Sequence, residues 1–417
     1  MAPNPNNKKV AVTAGLRGAS WQAERMTTPF SSIPTPLTTQ DGQGALGVLF
    51  SRGAERKVVF IMHPRELVVT HYLVPDALDA GWACWVQGAR SIGNDLRLEH
   101  EFALYDVAAG MRHLRALGFE TIVLLGNSGG AGLFAFYNQQ SVLTPEKRLG
   151  KTPAGRATKF EVADFPVADG IALVSPHPGQ GVLLMNALDP SVVDELDPFS
   201  VDPALDPFSV ANGFRLPPDS ASYNAEFIDR YRAAQRQRVA RIDAHARALV
   251  ERRQAARIRL KSTGAKDDRA LAGHSPIFQV WRTDADLRCW DTSLDPSDRF
   301  VGSLWGSEPF VSNLGSVGFG RIVTPESWLS TWSGLSSNAS LGKCAPAIEQ
   351  PTLLIEYTGD NCVFPMDADT IYEAIPASRK ERHRVRGNHH GQALDDGEIS
   401  GQTLAGKHLG RWLQDNF

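Results

Sequence analysis

Ser128 is the residue whose setting points most directly to chemistry. It stands in Gly126-Asn127-Ser128-Gly129-Gly130, after the apolar run Ile122–Leu125 and before small residues that lead to Phe134 and Phe136. A serine with glycines two before and two after, a buried strand ahead and a helix behind, marks a tight strand-to-helix turn. Such a turn strains the serine backbone, and the glycines let strand and helix pack closely. The hydroxyl is then pushed out at the carboxyl edge of a sheet, beside helix N-terminal amides. Ser128 is therefore the candidate nucleophile. The plainer reading of such a turn is a phosphate-binding or merely connecting loop.

A serine hydroxyl alone is a weak nucleophile. It needs a base within hydrogen-bond reach and a partner that holds the base in one tautomer. The chain supplies both in the order serine, acid, histidine, each just past a strand-like run. His390, in Gly387-Asn388-His389-His390-Gly391, is the preferred base. His389 is the alternative, because adjacent side chains in an extended loop point apart and only one faces the serine. Asp360, in Thr358-Gly359-Asp360-Asn361, is the preferred acid and Asp367 the alternative. The plain reading of Asp360 is ordinary turn chemistry. A tetrahedral intermediate also needs donors for its oxyanion. Gly129 N–H, in the first turn of the helix, is one. The second is expected from the loop after Lys57–Met62, where Pro64 has no N–H and the donor falls to Arg65, or else to Glu66. The His-His pair has no carboxylates or cysteines at metal-site spacing, so no metal is expected, and this chemistry needs no cofactor.

Positioning these groups takes a sheet. Ala45–Ser51, Lys57–Met62, Ala83–Gln87, Thr121–Leu125, Gly170–Ser175, Thr352–Tyr357 and Arg382–Arg386 read as strands. Most are apolar without alternation, as in strands buried on both faces. Residues 68–80, 101–117, 369–375 and 403–413 read as intervening helices. In the second of these, Phe102, Leu104, Val107, Ala108, Met111, Leu114 and Leu117 form one stripe, and Gly118 ends it. Alternating buried strands and helices predict an α/β fold with a mostly parallel sheet covered on both faces.

The alternation breaks between 181 and 345. Leu196–Val201 and Leu205–Val210 both read LDPFSV. Ala225–Leu260 predicts a long helix with Phe227, Ile228, Tyr231, Val239, Ile242, Ala246, Leu249 and Val250 on one stripe and arginines on the other faces. Those arginines read as a solvated face, or as a basic surface for an acidic partner or a phosphate-bearing substrate. Trp281, Trp290, Trp305, Trp328 and Trp332 follow among loops rich in Gly, Ser and Asp. They suggest a lid or pocket wall for an apolar substrate, or else packing of the insert onto the core. Gly315–Gly320 resembles a nucleotide loop only loosely, with no strand before it and no lysine after it. The expected organisation is a core over 1–180, with 1–35 as a polar extension, an inserted cap over 181–345, and the rest of the core over 346–417.

The bulk numbers fit this reading. A chain of 417 residues exceeds one compact domain. A net charge of −3 argues against nucleic acid as a general partner. No apolar run reaches the roughly 18 residues of a membrane span. The N-terminus lacks the apolar core of a secretory signal. Cys84, Cys289, Cys344 and Cys362 are widely spaced, which suits a reducing cytoplasm. Asn338-Ala339-Ser340 matches a glycosylation sequon by chance. The expected partner is a small-molecule substrate, with neither nucleic acid nor membrane; a homo-oligomer stays open.

With these pieces placed, the chain resembles the α/β-hydrolase superfamily. The residues that carry the resemblance are Gly126-Asn127-Ser128-Gly129-Gly130, His63-Pro64, Asp360 and His390, over roughly 40–180 and 345–417. The resemblance implies a mainly parallel sheet of about eight strands and a cap inserted over the active site. His63, Glu66, Trp305, Trp328 and Trp332 are the expected substrate contacts. The expected reaction is hydrolysis of a carboxylic ester of a small or medium organic substrate, aromatic ones included, through an acyl-enzyme. Thioester hydrolysis and carbon–carbon cleavage of a diketone-type substrate use the same groups. A non-catalytic ligand-binding protein of this fold is the alternative of another class.

Overall fold

The computed structural model describes residues 25–26, 28–93, 95–264, 266–316 and 318–417. Its centre is an eight-stranded sheet, whose strands we number in chain order: β1 (Ser31–Thr38), β2 (Gly44–Ser51), β3 (Lys57–His63), β4 (Ala83–Gly88), β5 (Thr121–Asn127), β6 (Gly170–Val174), β7 (Thr352–Tyr357) and β8 (Lys380–Val385). Their spatial order is β1-β2-β4-β3-β5-β6-β7-β8. β2 runs antiparallel to both of its neighbours, and the remaining pairings are parallel.

Alternation along the central strands sends side chains to two separate cores. Val58, Phe60 and Met62 of β3 face one core with helices α2 (His100–Ala116) and α3 (Gly129–Val142). Val59 and Ile61 face the other, with α1 (Val74–Asp79) and the C-terminal helix Gly401–Asn416. Both faces are dry, which is why these strands read as unbroken apolar runs. Parallel pairing brings the C-terminal ends of β3, β5, β6, β7 and β8 to one edge of the sheet. Ser128, Ser175, Asp360 and the His389 loop all follow those ends.

One expectation fails at the amino end. Residues 31–35, placed in the polar extension, instead belong to strand β1, which runs on to Thr38. Pro34 and Pro36 disguised it, since proline cannot donate to a ladder. Here the strand pairs on one side only, with β2, so a missing N–H can be tolerated at the edge. Residues 1–24 of that extension lie outside the described residues.

Between β6 and β7 the chain makes α4 (Gln180–Ala187) and the long α5 (Ala225–Thr263). The Asn224 side chain accepts from Phe227 N–H at the start of α5, and Gly264 closes its end with φ 65°. Phe227, Tyr231, Val239, Ile242, Ala246 and Val250 bury its stripe in two clusters away from the sheet. The arginines are not all solvated. Arg238 is only 1% exposed; its guanidinium bonds Glu195 and the carbonyls of Asp189 and Trp281. A guanidinium cannot shed its charge, so burial requires this full set of acceptors.

Candidate active site

β5 runs straight into Ser128, whose backbone is held at φ 52°, ψ −118°. That is a sparsely populated region for a residue with a Cβ. Its amide donates to Val174 O at 2.9 Å, which ties the turn to β6. The two framing glycines are sterically required. A Cβ on Gly126 would lie 2.6 Å from the Ala131 backbone, and one on Gly130 would lie 2.4 Å from Met62 O. α3 therefore starts hard against β3 and β5, and the serine hydroxyl is lifted at their end.

His389, not His390, reaches Ser128. His389 Nε2 lies 2.9 Å from Ser128 Oγ, and its Nδ1 lies 2.7 Å from Asp360 Oδ2. The preference for His390 is thereby corrected. The reason lies in the turn after β8. Asn388 Oδ1 accepts from His390 N–H and Gln392 N–H, each at 3.0 Å, and Gly391 takes a left-handed φ of 72°. This side-chain-closed turn fixes the His390 backbone and leaves His389 aimed at the serine. The His390 ring sits beside that of His389, with centroids 4.8 Å apart.

Asp360 is buried at the end of β7. Its Oδ1 accepts from Cys362 N–H at 2.7 Å and Val363 N–H at 3.0 Å. Its Oδ2 accepts from the Ser175 hydroxyl as well as meeting His389. Burial pushes the carboxyl up, but the His389 ring, the Ser175 hydroxyl and the Val363 amide outweigh it and hold the group below its ordinary value. Asp360 is thus an ionised orienter for the imidazole. The alternative acid, Asp367, is committed elsewhere: it bonds Arg288 at 3.1 Å and Phe364 N–H at 3.2 Å.

Ser175 is a member of this cluster that the sequence did not disclose. It is fully buried, its backbone sits at φ 46°, and its hydroxyl also lies 3.1 Å from His389 Nδ1. His177, two residues on, lies in the loop that follows the same strand and is buried beside it. The one signal was position: Ser175-Pro176-His177-Pro178 leaves the carboxyl end of the strand next to the serine's own.

The loop after β3 departs from expectation. Arg65 N–H and Glu66 N–H both point at the His63 ring, 3.2 Å and 3.1 Å from Nδ1. Neither is aimed outward as the expected oxyanion donor. Pro64 turns the chain back over the histidine, and the ring fills the space in front of the amides. The Arg65 guanidinium lies over Trp332, 5.0 Å from its centroid, and over Phe319 at 5.4 Å. Trp305 meets Phe319 edge-on at 5.1 Å. Trp328 and Trp332 are both fully buried in the cluster against α5, and Trp328 donates Nε1–H to Asp243 at 2.8 Å, so Trp328 is a packing residue and not a substrate contact.

His63, His177 and His100 are further buried imidazoles of this region. Burial holds His63 well below its ordinary value, His177 down at about 3 and His100 down at about 4. All are neutral at neutral pH. Among the described residues, no group of three or more His, Cys, Asp or Glu is arranged to hold a metal ion. No helix among them is long and apolar enough to cross a membrane.

A sheet in this strand order, with a strained serine after its fifth strand and an acid and a histidine after its seventh and eighth, is the α/β-hydrolase fold. No protein-family model and no curated protein matches the chain. Among solved structures it is similar to DcsB in complex with its substrate analogue, at 11% identity and TM-score 0.48, over 93% of this chain and 100% of that one. It is also similar to the esterase domain of a Rhodothermus marinus protein, at 10% identity and TM-score 0.42, over 92% and 98%. The Pyrococcus furiosus esterase Pf2001 gives 11% identity and TM-score 0.44, over 98% and 97%. These likenesses share an outline; the fold assignment rests on the strand order itself.

Proposed function

We propose that the protein is a serine hydrolase that cleaves a carboxylic ester of a small or medium organic molecule. One observation carries this: the unbroken chain Ser128 Oγ, His389 Nε2, His389 Nδ1, Asp360 Oδ2, with links of 2.9 and 2.7 Å. His389 Nε2 takes the serine proton as Oγ attacks the carbonyl carbon. Asp360 fixes the ring's tautomer and stabilises the imidazolium without itself taking a proton. The imidazolium then protonates the leaving alcohol. Water, deprotonated by the same ring, releases the acid from the acyl-enzyme. No metal or organic cofactor enters these steps. In this reading residues 181–345 cover the site as a cap, with Trp332 and Phe319 meeting it through Arg65. A cytoplasmic setting fits four cysteines that are all buried and free.

The test is a fluorophosphonate probe with an aryl ester assay beside it. Wild type is expected to label on one serine, and Ser128→Ala to lose the label and turnover by on the order of 10⁴-fold or more. Labelling that survives in Ser128→Ala would sink this reading, as would folded wild type that neither labels nor turns over any ester of a graded series.

A further inference from the structure

A tetrahedral oxyanion at Ser128 needs two donors, and the second backbone amide expected for it is spent on a side chain. What the structure offers in that place is imidazole. A Cβ on Gly129 would lie 2.7 Å from His63 Nε2 and 3.4 Å from His177 Nε2. A ring from the end of β3 and one from the loop after β6 thus converge on the residue after the serine, that of His63 occupying the room its side chain would take.

Their tautomers follow from their other nitrogens. His63 Nδ1 faces two N–H donors, Arg65 and Glu66. His177 Nδ1 faces Gly179 N–H at 3.2 Å. A nitrogen that accepts carries no proton, so in each neutral ring the proton sits on Nε2, the atom nearest Gly129. Burial keeps both rings neutral. A metal ion on Nε2 would move the proton to Nδ1 and set it against the backbone N–H groups, so the arrangement favours a donor over a ligand.

We propose that His63 Nε2–H, with His177 Nε2–H beside it, joins Gly129 N–H as the oxyanion hole. This rests on Ser128 being the nucleophile. As Oγ bonds to the carbonyl carbon, the carbonyl π pair moves onto oxygen and the serine proton goes to His389. The oxyanion accepts from Gly129 N–H and His63 Nε2–H, and both donors keep their protons. Collapse restores the carbonyl and expels the alcohol. A neutral imidazole is well suited to this role, because it offers a donor where charge develops and brings no cation that would bind the ground state.

The test compares His63→Ala and His177→Ala with wild type on an aryl ester, using an aryl trifluoromethyl ketone, which forms an oxyanion adduct, and its methyl ketone, which does not. His63→Ala is expected to lower kcat and trifluoromethyl ketone affinity together by roughly 10²–10³-fold, and His177→Ala by about 10-fold, with KM and methyl ketone affinity within about 3-fold. Unchanged kcat in His63→Ala, or equal losses for both ketones, overturns the assignment. Should His63→Ala fail to fold, ¹⁵N NMR of histidine-labelled wild type decides. An Nε2–H tautomer at His63 whose proton moves downfield in the adduct supports the proposal, and an Nδ1–H tautomer overturns it. Failure of wild type to form any adduct would instead strike the nucleophile reading itself.

Discussion

The cleft between the α2 and α5 regions and the corner around Ser128 both gather basic side chains, and they handle them in opposite ways. The cleft, about 770 Å³, is lined by Arg90, Arg97, Arg156, Arg253 and Arg257 together with Asp41, Glu99 and Glu326. Its guanidiniums stay charged, so carboxylates accompany them: Arg90 bonds Asp41 and Asp106, Arg156 bonds Glu99, and Arg253 bonds Glu326. On the Ser128 side His63, His100 and His177 are imidazoles, and burial drives these three neutral. The lesson is that a group able to shed its proton can be packed densely around a serine hydroxyl without counter-ions. It then offers neutral N–H and lone-pair positions where the cleft offers charged guanidiniums, those of Arg90, Arg156 and Arg253 held by carboxylates.

The sharpest way to break this comparison is to exchange the two tail histidines. His389→Gln is expected to cut aryl ester turnover by on the order of 10⁴-fold, whereas His390→Gln should stay within about 10-fold of wild type. The reverse order in steady-state kinetics would mean that the ring next to Ser128 is not the base.

A smaller effect reads the neutrality of the buried imidazoles through stability. His177 has a folded-state value of about 3 against an ordinary 6.5. Above the ordinary value both folded and unfolded chains leave it neutral, and its contribution to stability is complete. As pH falls below it, the unfolded chain takes up a proton that the folded chain refuses, and stability is lost progressively toward the folded value. Urea unfolding of wild type between about pH 6.5 and 5 should therefore lose roughly 1.1 kcal/mol per pH unit more than His177→Gln. Parallel curves for the two proteins would show that the ring takes up its proton in the fold as readily as in the unfolded chain.

The smallest effect is expected in the cleft. Arg257, exposed at its rim, donates Nε–H to Ala272 O at 3.2 Å. Arg257→Gln should alter kcat/KM on a neutral aryl ester by less than about twofold, since the cleft lining includes none of Ser128, His389 and Asp360. A larger loss would tie the arginines to substrate and revive the basic-surface reading of α5.

The chain's own residues were enough to reveal the sheet frame and the strained turn that holds Ser128. Buried parallel strands carry their signature in every residue, and the glycines around Ser128 are demanded by local sterics that sequence spacing displays. Tertiary structure decided the rest. The choice of His389 over His390 turns on a side-chain bond from Asn388 that closes one loop. Ser175 and His177 come beside Ser128 only because β6 lies beside β5. The two LDPFSV copies show the limit most plainly. In the first, Phe199 lies on a short hairpin strand and is 71% exposed; in the second, Phe208 is 6% exposed, packed against Phe214 and Trp290. Identical residues meet different fates because burial and loop register are set by what the folded chain brings alongside, and no local pattern encodes that.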